Sequence, residues 1–146
     1  MTLRRRIAAA ALESDDEGSV LILTMGYAAL ALVAVLVCVD ATSLYLAQKR
    51  LDSLADASAL AAADGFELTV VADEPVAVLT SDGVHRQAQL MVDEIGGAAV
   101  LVSAETPDGV SARVTVADAW HPPVLTLFVP DGVDLESTAT SRTALR

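Results

Sequence analysis

The chain has 146 residues, of which 53% are hydrophobic, and its 9 basic and 20 acidic side chains give a net charge of −11. This length allows one small domain plus a separate element, and it excludes a large two-domain enzyme. The acidic balance argues against nucleic acid as a partner, because such proteins carry a basic patch. A single cysteine excludes an intramolecular disulfide.

The hydrophobic excess lies near the N-terminus. Residues 18–39 contain no charged side chain, and as an α-helix they would extend about 33 Å, enough to cross the hydrocarbon core of a bilayer. The rest of the chain is too short to surround a helix that is apolar on every face. The sequence therefore predicts a transmembrane helix over 18–39.

A cleaved secretory signal is the alternative interpretation of this segment. Residues 4–6 are arginines, and residues 39–41 loosely resemble a small-residue cleavage site. However, the apolar run is long for a signal, and acidic residues between 13 and 17 separate it from the arginines. A retained single-pass anchor is the favoured interpretation.

Cations near the apolar segment predict its orientation. Three arginines precede it, whereas Lys49 and Arg50 follow at a greater distance. Because cytoplasmic flanks carry an excess of Lys and Arg, residues 1–17 are predicted to be cytoplasmic and residues 40–146 extracytoplasmic.

The helix is expected to continue beyond the membrane. Residues 40–64 lack Gly and Pro and are rich in Ala and Leu, so one helix from about Ser19 to Asp64 is predicted, with Gly65 as its stop and 40–64 as an extracytoplasmic stalk. Small and apolar side chains share one stripe of this helix: Ala34, Cys38, Ala41, Leu44, Leu51, Leu54, Ser58 and Ala61. The stripe is expected to pack on the chain's own head, which is favoured, on another subunit's helix, or on both along different stretches.

Residues 65–146 predict a small α+β head with one helix and a short antiparallel sheet. Its helix is expected from Ser81, with Ser81 as N-cap, to Gly96-Gly97. A turn at 106–109 gives the clearest hairpin. The β-prone segments are 66–71, 76–80, 98–104, 111–119, 124–129 and 137–143.

Residue types that carry catalysis or metal binding are scarce. His85 and His121 are the only histidines, neither has a second histidine at ligand spacing, and no phosphate-binding loop, nucleophile elbow or dinucleotide fingerprint is present. Asp131, Asp134 and Glu136 do not match the spacing of a calcium loop. We therefore predict no enzymatic activity, no cofactor and no metal site.

Two runs in the helical segment carry a family resemblance. Residues 40–51 read DATSLYLAQKRL and residues 54–63 read LADASALAAA. With the uncharged span before them, they resemble the TadE/TadG-like family of Flp pilus assembly proteins from about Glu17 to Asp64, and the run from Ala55 to Ala61 is the most specific part. The resemblance implies a single-pass protein of the bacterial plasma membrane that works with other Tad-type pilus or secretion proteins.

The resemblance also implies a possible leader-processing site at Gly18 and Ser19. Type IV-like pilins are cut after a glycine at the cytoplasmic edge of the membrane helix, and their Glu five residues later neutralises a neighbour's new amino group. Here Leu23 occupies that place, and a buried unpaired ammonium is costly. An accessory or minor pilin-like component is therefore predicted. The alternative is a membrane-anchored binding or sensor domain unrelated to pili.

Overall fold

The computed structural model describes the backbone of residues 3–71 and 74–143 and the side chains of residues 19–70 and 76–143. The chain divides into two compact units, Met1–Ala41 and Thr42–Arg146. Helix α1, Leu3–Asp64, supplies the described part of the first unit and the start of the second. It begins well before the expected Ser19, because residues 7–12 are Ile, Ala and Leu, which are compatible with a helix, and Gly18 does not interrupt it.

The second unit contains a further helix and two antiparallel sheets. Strands β1, Glu67–Val71, and β2, Glu74–Val78, form a two-stranded sheet. Helix α2, Ser81–Ile95, follows. Strands β3, Val100–Glu105, β4, Ser111–Trp120, and β5, Val133–Arg142, form a three-stranded sheet in the order β3-β4-β5. The α+β class, the long apolar helix and the small head with antiparallel pairing are confirmed.

The predicted ends of α1 and α2 are close to the observed ones. The Gly65 N–H donates to the Ala62 carbonyl at 3.3 Å, one residue after α1 ends. The N-cap of α2 is Thr80 rather than the predicted Ser81: Thr80 is extended, and its hydroxyl accepts a hydrogen bond from the Gly83 N–H at 3.2 Å. Threonine and serine cap by the same geometry, so adjacent candidates are hard to separate by sequence alone. Gly96 is the C-cap, as predicted.

The strand prediction for 124–129 is wrong. This segment forms a turn in which the N–H groups of Phe128 and Val129 donate to the Leu125 carbonyl at 2.9 and 3.1 Å. Prolines at 122, 123 and 130 flank the segment, and a proline lacks the N–H that a sheet ladder needs. The last strand instead begins at Val133, earlier than the predicted 137, and the second begins at Glu74 rather than 76. The sequence also predicts a turn at 72–75, because proline at 75 fixes the backbone. Residues 72 and 73 lie outside the described residues, and Glu74 begins β2.

The core of the second unit lies between α1, α2 and one face of the three-stranded sheet. In the register of β4 and β5, Val114 faces Ala139 and Val116 faces Ser137, so these four side chains lie on one side of the sheet. The buried apolar side chains belong to α1, the β2–α2 connection, α2, β4 and β5: Leu51, Leu54, Ala55, Ala59, Ala62, Ala63, Leu79, Val84, Ala88, Val92, Ala112, Val114, Val116, Leu135 and Ala139.

Replacing Leu51 by aspartate tests the packing of α1 in this core. Leu51 is 3% exposed, so Leu51→Asp places an unpaired carboxylate in an apolar contact and should lower the free energy of unfolding by about 3 to 5 kcal/mol. Urea unfolding of the full chain in detergent measures this loss of stability, with the fluorescence of the single tryptophan as the signal.

Leu60→Asp is the matched control, because Leu60 lies on the same helix and is exposed. Its midpoint should stay near that of the natural chain, within about 0.5 kcal/mol. Equal midpoints for the two variants would show that the buried face of α1 does not stabilise the head.

Candidate functional site

The apolar part of α1 is exposed along its length. None of the side chains from Ser19 to Val39 is buried, and Ile22 and Met25 are each 75% exposed. An 18-residue window within Ser19–Asp64 has a mean hydropathy of 2.6, and none of its residues is buried. The described residues contain one helix that is both long enough and apolar enough to cross a membrane. Apolar side chains exposed on every face are typical of a helix that lipid surrounds.

The predicted stripe divides into an exposed half and a buried half. Ala34, Cys38 and Ala41 are exposed, whereas Leu51, Leu54 and Ser58 are buried. Leu44 and Ala61 are partly buried. Gly18 lies within α1 and its exposure is outside the described residues, while Ser19 is exposed.

Sequence reasoning missed four buried alanines of α1. Ala55, Ala59, Ala62 and Ala63 are 0 or 1% exposed. With Leu51, Leu54 and Ser58 they give the spacing i, i+3, i+4, i+7, i+8, i+11 and i+12, which is the pattern of a helix face packed on a core. That pattern was readable in the sequence, but alanine is common on both buried and exposed helix faces and does not mark the face by itself.

Polar contacts join the same helix to β5. The Asp52 carboxylate accepts hydrogen bonds from Lys49 Nζ at 3.0 Å, Gln48 Nε2 at 3.0 Å and Ser137 Oγ at 2.8 Å. Gln48 also donates to the Glu136 carbonyl at 3.3 Å. We call Gln48, Lys49, Asp52 and Ser137 the Asp52 cluster. The hydrogen bonds from Lys49, Gln48 and Ser137, with the Lys49 charge, lower the pKa of Asp52 below its ordinary value.

A third contact involves the only tryptophan. The indole Nε1 of Trp120, at the end of β4, donates to Ser43 Oγ at 3.1 Å. The Trp120 side chain is partly buried and packs against the core. Together with the Asp52 cluster and the buried alanine face, this bond fixes α1 to the sheet from residue 43 onward.

The comparison with known families addresses this helix. Residues 18–65 match the family model of putative Flp pilus-assembly TadE/G-like proteins. The predicted resemblance is thereby confirmed for this segment, which contains both the exposed apolar part of α1 and the part that packs in the head. No curated protein and no solved structure matches the chain. The TadE/G-like match indicates a role related to pilus assembly, and with the apolar helix it fits membrane anchoring.

Outside the TadE/G-like segment, the described residues show no group of three or more His, Cys, Asp or Glu side chains that could hold a metal ion. His85 and His121 are exposed, and so are Asp131, Asp134 and Glu136. The β3–β4 turn uses its carboxylate structurally: Asp108 accepts hydrogen bonds from the N–H groups of Val110 and Ser111 at 3.1 and 2.6 Å. These bonds, with that of the Ser111 hydroxyl, lower the pKa of Asp108.

The Asp52 cluster should make the head sensitive to acid. Because the folded state lowers the pKa of Asp52, the cluster stabilises the fold above the ordinary carboxyl pKa of about 4, and this contribution is lost as the pH falls through the lowered value. The urea midpoint should therefore fall below about pH 4, and Asp52→Asn should remove part of that fall.

In Asp52→Asn, the urea midpoint should still fall somewhat at low pH. We expect this remaining fall from Asp108, because the fold lowers the pKa of Asp108 as well. Asp56→Asn is the control: Asp56 is exposed and lies one turn further along α1. It should keep the pH dependence of the natural chain. If Asp52→Asn and Asp56→Asn have the same pH profile, the Asp52 cluster does not stabilise the fold.

Proposed function

We propose that this protein is a non-enzymatic accessory or minor pilin-like component of a Tad/Flp-type pilus or a related secretion system. The observation that carries the proposal is the TadE/G-like match over residues 18–65, which ends where α1 ends and includes its buried face in the head. The matched segment thus joins a membrane anchor to a folded domain, as a structural component of an envelope assembly requires.

The proposed topology is a single pass through the bacterial plasma membrane. Residues 18–39 span the bilayer, residues 1–17 lie in the cytoplasm, residues 40–64 form the stalk and residues 65–146 form the extracytoplasmic head. The three arginines before the span support this orientation. The exposed apolar side chains of the span support its place in lipid.

An accessory role rather than that of the main filament subunit follows from Leu23. Processing after Gly18 would leave Ser19 as the new N-terminus, with Leu23 at the place where a main pilin carries Glu. Without that carboxylate, a filament core would hold an ammonium group with no charge partner from this chain. The mature N-terminus is the measurement that decides whether Gly18 and Ser19 are separated.

The exposed half of the stripe is the proposed contact with other envelope proteins. Ala34, Cys38 and Ala41 lie on one side of the helix and are all exposed. Small side chains allow two membrane helices to approach closely. This surface suits a helix of a Tad-type partner or of a second copy of the chain.

Copurification from native membranes tests the role, with mass spectrometry of the bound proteins and of the mature N-terminus. The natural chain should recover Tad-type pilus or secretion proteins. Ala34→Leu should lose them, because the larger side chain keeps a partner helix at a distance.

Ala29→Leu is the matched control. Cys38 follows Ala29 by nine positions. At about 100° per residue, Ala29 therefore lies on the side of the helix opposite to Cys38. Ala29→Leu should keep the partners. Recovery of no pilus or secretion protein by the natural chain would favour an unrelated anchored binding or sensor domain.

Protease treatment of spheroplasts tests the topology. The proposed orientation exposes residues 40–146 to added protease, so this part should be degraded while a cytoplasmic marker protein survives. A reporter fused after Arg146 that is active only in the cytoplasm would reverse the orientation and refute the proposed topology.

A further inference from the structure

A groove in the second unit lies between α1, the end of α2 and β4. Arg50 and Leu54 of α1, Ile95 of α2 and Asp118 of β4 are among the residues that line its cavity of about 490 Å³. All of the lining residues belong to the second unit. The groove is open to solvent on one side, so a small molecule inside it would stay in contact with water, whereas a protein surface can close it. We call it the α1–α2 groove.

The spacing of residues along α1 and β4 explains which side chains reach this groove. Arg50 and Leu54 are four positions apart and therefore lie on the same face of α1. Asp118 follows Val116 by two positions in β4, which places both on the core side of the sheet. Leu54 is buried, whereas Ile95 is 58% exposed. The α1–α2 groove thus combines an apolar surface with one cation and one anion.

The two charged side chains of the groove do not pair with each other. The described residues contain two ion pairs, and neither of them includes Arg50 or Asp118. The Asp118 carboxylate accepts a hydrogen bond from the N–H of Ala119 at 2.8 Å, which leaves its charge without a cationic partner in the described part of the chain. A cation and an anion that share one surface without pairing fit a second surface that offers one anion and one cation.

A second copy of this chain offers that arrangement of charges. In a two-fold symmetric contact the same surface of both copies is used, so Arg50 of each copy would meet Asp118 of the other. Charge also limits where two copies can meet. Residues 40–146 hold 16 acidic and 6 basic side chains, so most contacts between two copies would bring like charges together. The α1–α2 groove carries one charge of each sign and avoids this repulsion.

We propose that the α1–α2 groove is the contact between two copies of the second unit, in a two-fold dimer with two Arg50–Asp118 ion pairs. Ile95 is the last residue of α2 and is exposed, and in this dimer it packs into the groove of the other copy. The dimer covers apolar surface that one copy leaves in water. This contact goes beyond the proposed function, which assigns the contact with partners to the membrane helix.

Charge reversal tests the dimer in the full chain. The parent chain carries Ala34→Leu, which keeps two membrane helices apart, and analytical ultracentrifugation in detergent measures its dimer dissociation constant. Arg50→Asp and Asp118→Arg should each weaken the dimer by at least about tenfold, because each creates two pairs of like charges. The double variant with both changes restores opposite charges, so its dissociation constant should return to within about threefold of that of the parent chain.

The opposite signs of the two changes separate this contact from general charge repulsion. Arg50→Asp makes the acidic chain more negative and Asp118→Arg makes it less negative, so general repulsion would weaken the first dimer only. Arg86→Asp is the matched control, because Arg86 is exposed on α2 and does not line the groove. It should keep the dimer of the parent chain.

The urea midpoint of each variant reports whether it is folded. Should a reversed variant not fold, Arg50→Gln and Asp118→Asn remove the charges instead and should each weaken the dimer by about threefold. A monomeric parent chain overturns the proposed dimer. Association that neither Arg50 nor Asp118 variants weaken overturns it too, and so does a double variant that stays as weak as the single ones. Because the purified chain alone is measured, copurification with Tad-type proteins is decided separately.

Discussion

The burial of the small face of α1 in the core that it shares with α2, β4 and β5 is the interaction on which the second unit depends. Ala55, Ala59 and Ala62 have almost no exposed surface, and because their side chains end at Cβ, the helix backbone can approach the rest of the core closely. Leu51 and Leu54 lie at the start of this face and belong to the same core as the valines of β4. A larger residue in this alanine face would push the helix away from the rest of the core.

Polar contacts fix the position of the helix along the sheet. Apolar burial is non-directional, so a helix on a smooth face is free to slide or rotate by small amounts. The bond from Trp120 to Ser43 and the bond from Ser137 to Asp52 are directional and join α1 to different strands. They select one register, and the Asp52 cluster makes part of that selection depend on the charge of one carboxylate.

The composition of α1 changes along its length. From Val20 to Val39 most of its side chains are apolar and exposed on every side, as in helices that lipid surrounds, while from residue 42 onward one face is buried by protein and the rest carries charges. The TadE/G-like match covers this change of composition and not the strands that follow. The match therefore covers the apolar part of α1 and its buried face, and the helix α2 and the strands lie outside it.

The sequence by itself determined the features that depend on local chemistry or on composition. The uncharged apolar run, the helix stop at Gly65, the Gly96 cap and the hairpin at 106–109 follow from neighbouring residues, and they agree with the structure. The family resemblance was likewise readable, because its residues are contiguous. What only the tertiary structure decided is which surfaces meet: the alanine face that is buried, the partners of Asp52 and Trp120, and the turn at 124–129 where β-prone residues find no strand. The physical reason is that burial and hydrogen bonding join residues distant in the chain, such as Ser43 and Trp120, and no local pattern in the sequence specifies those pairs.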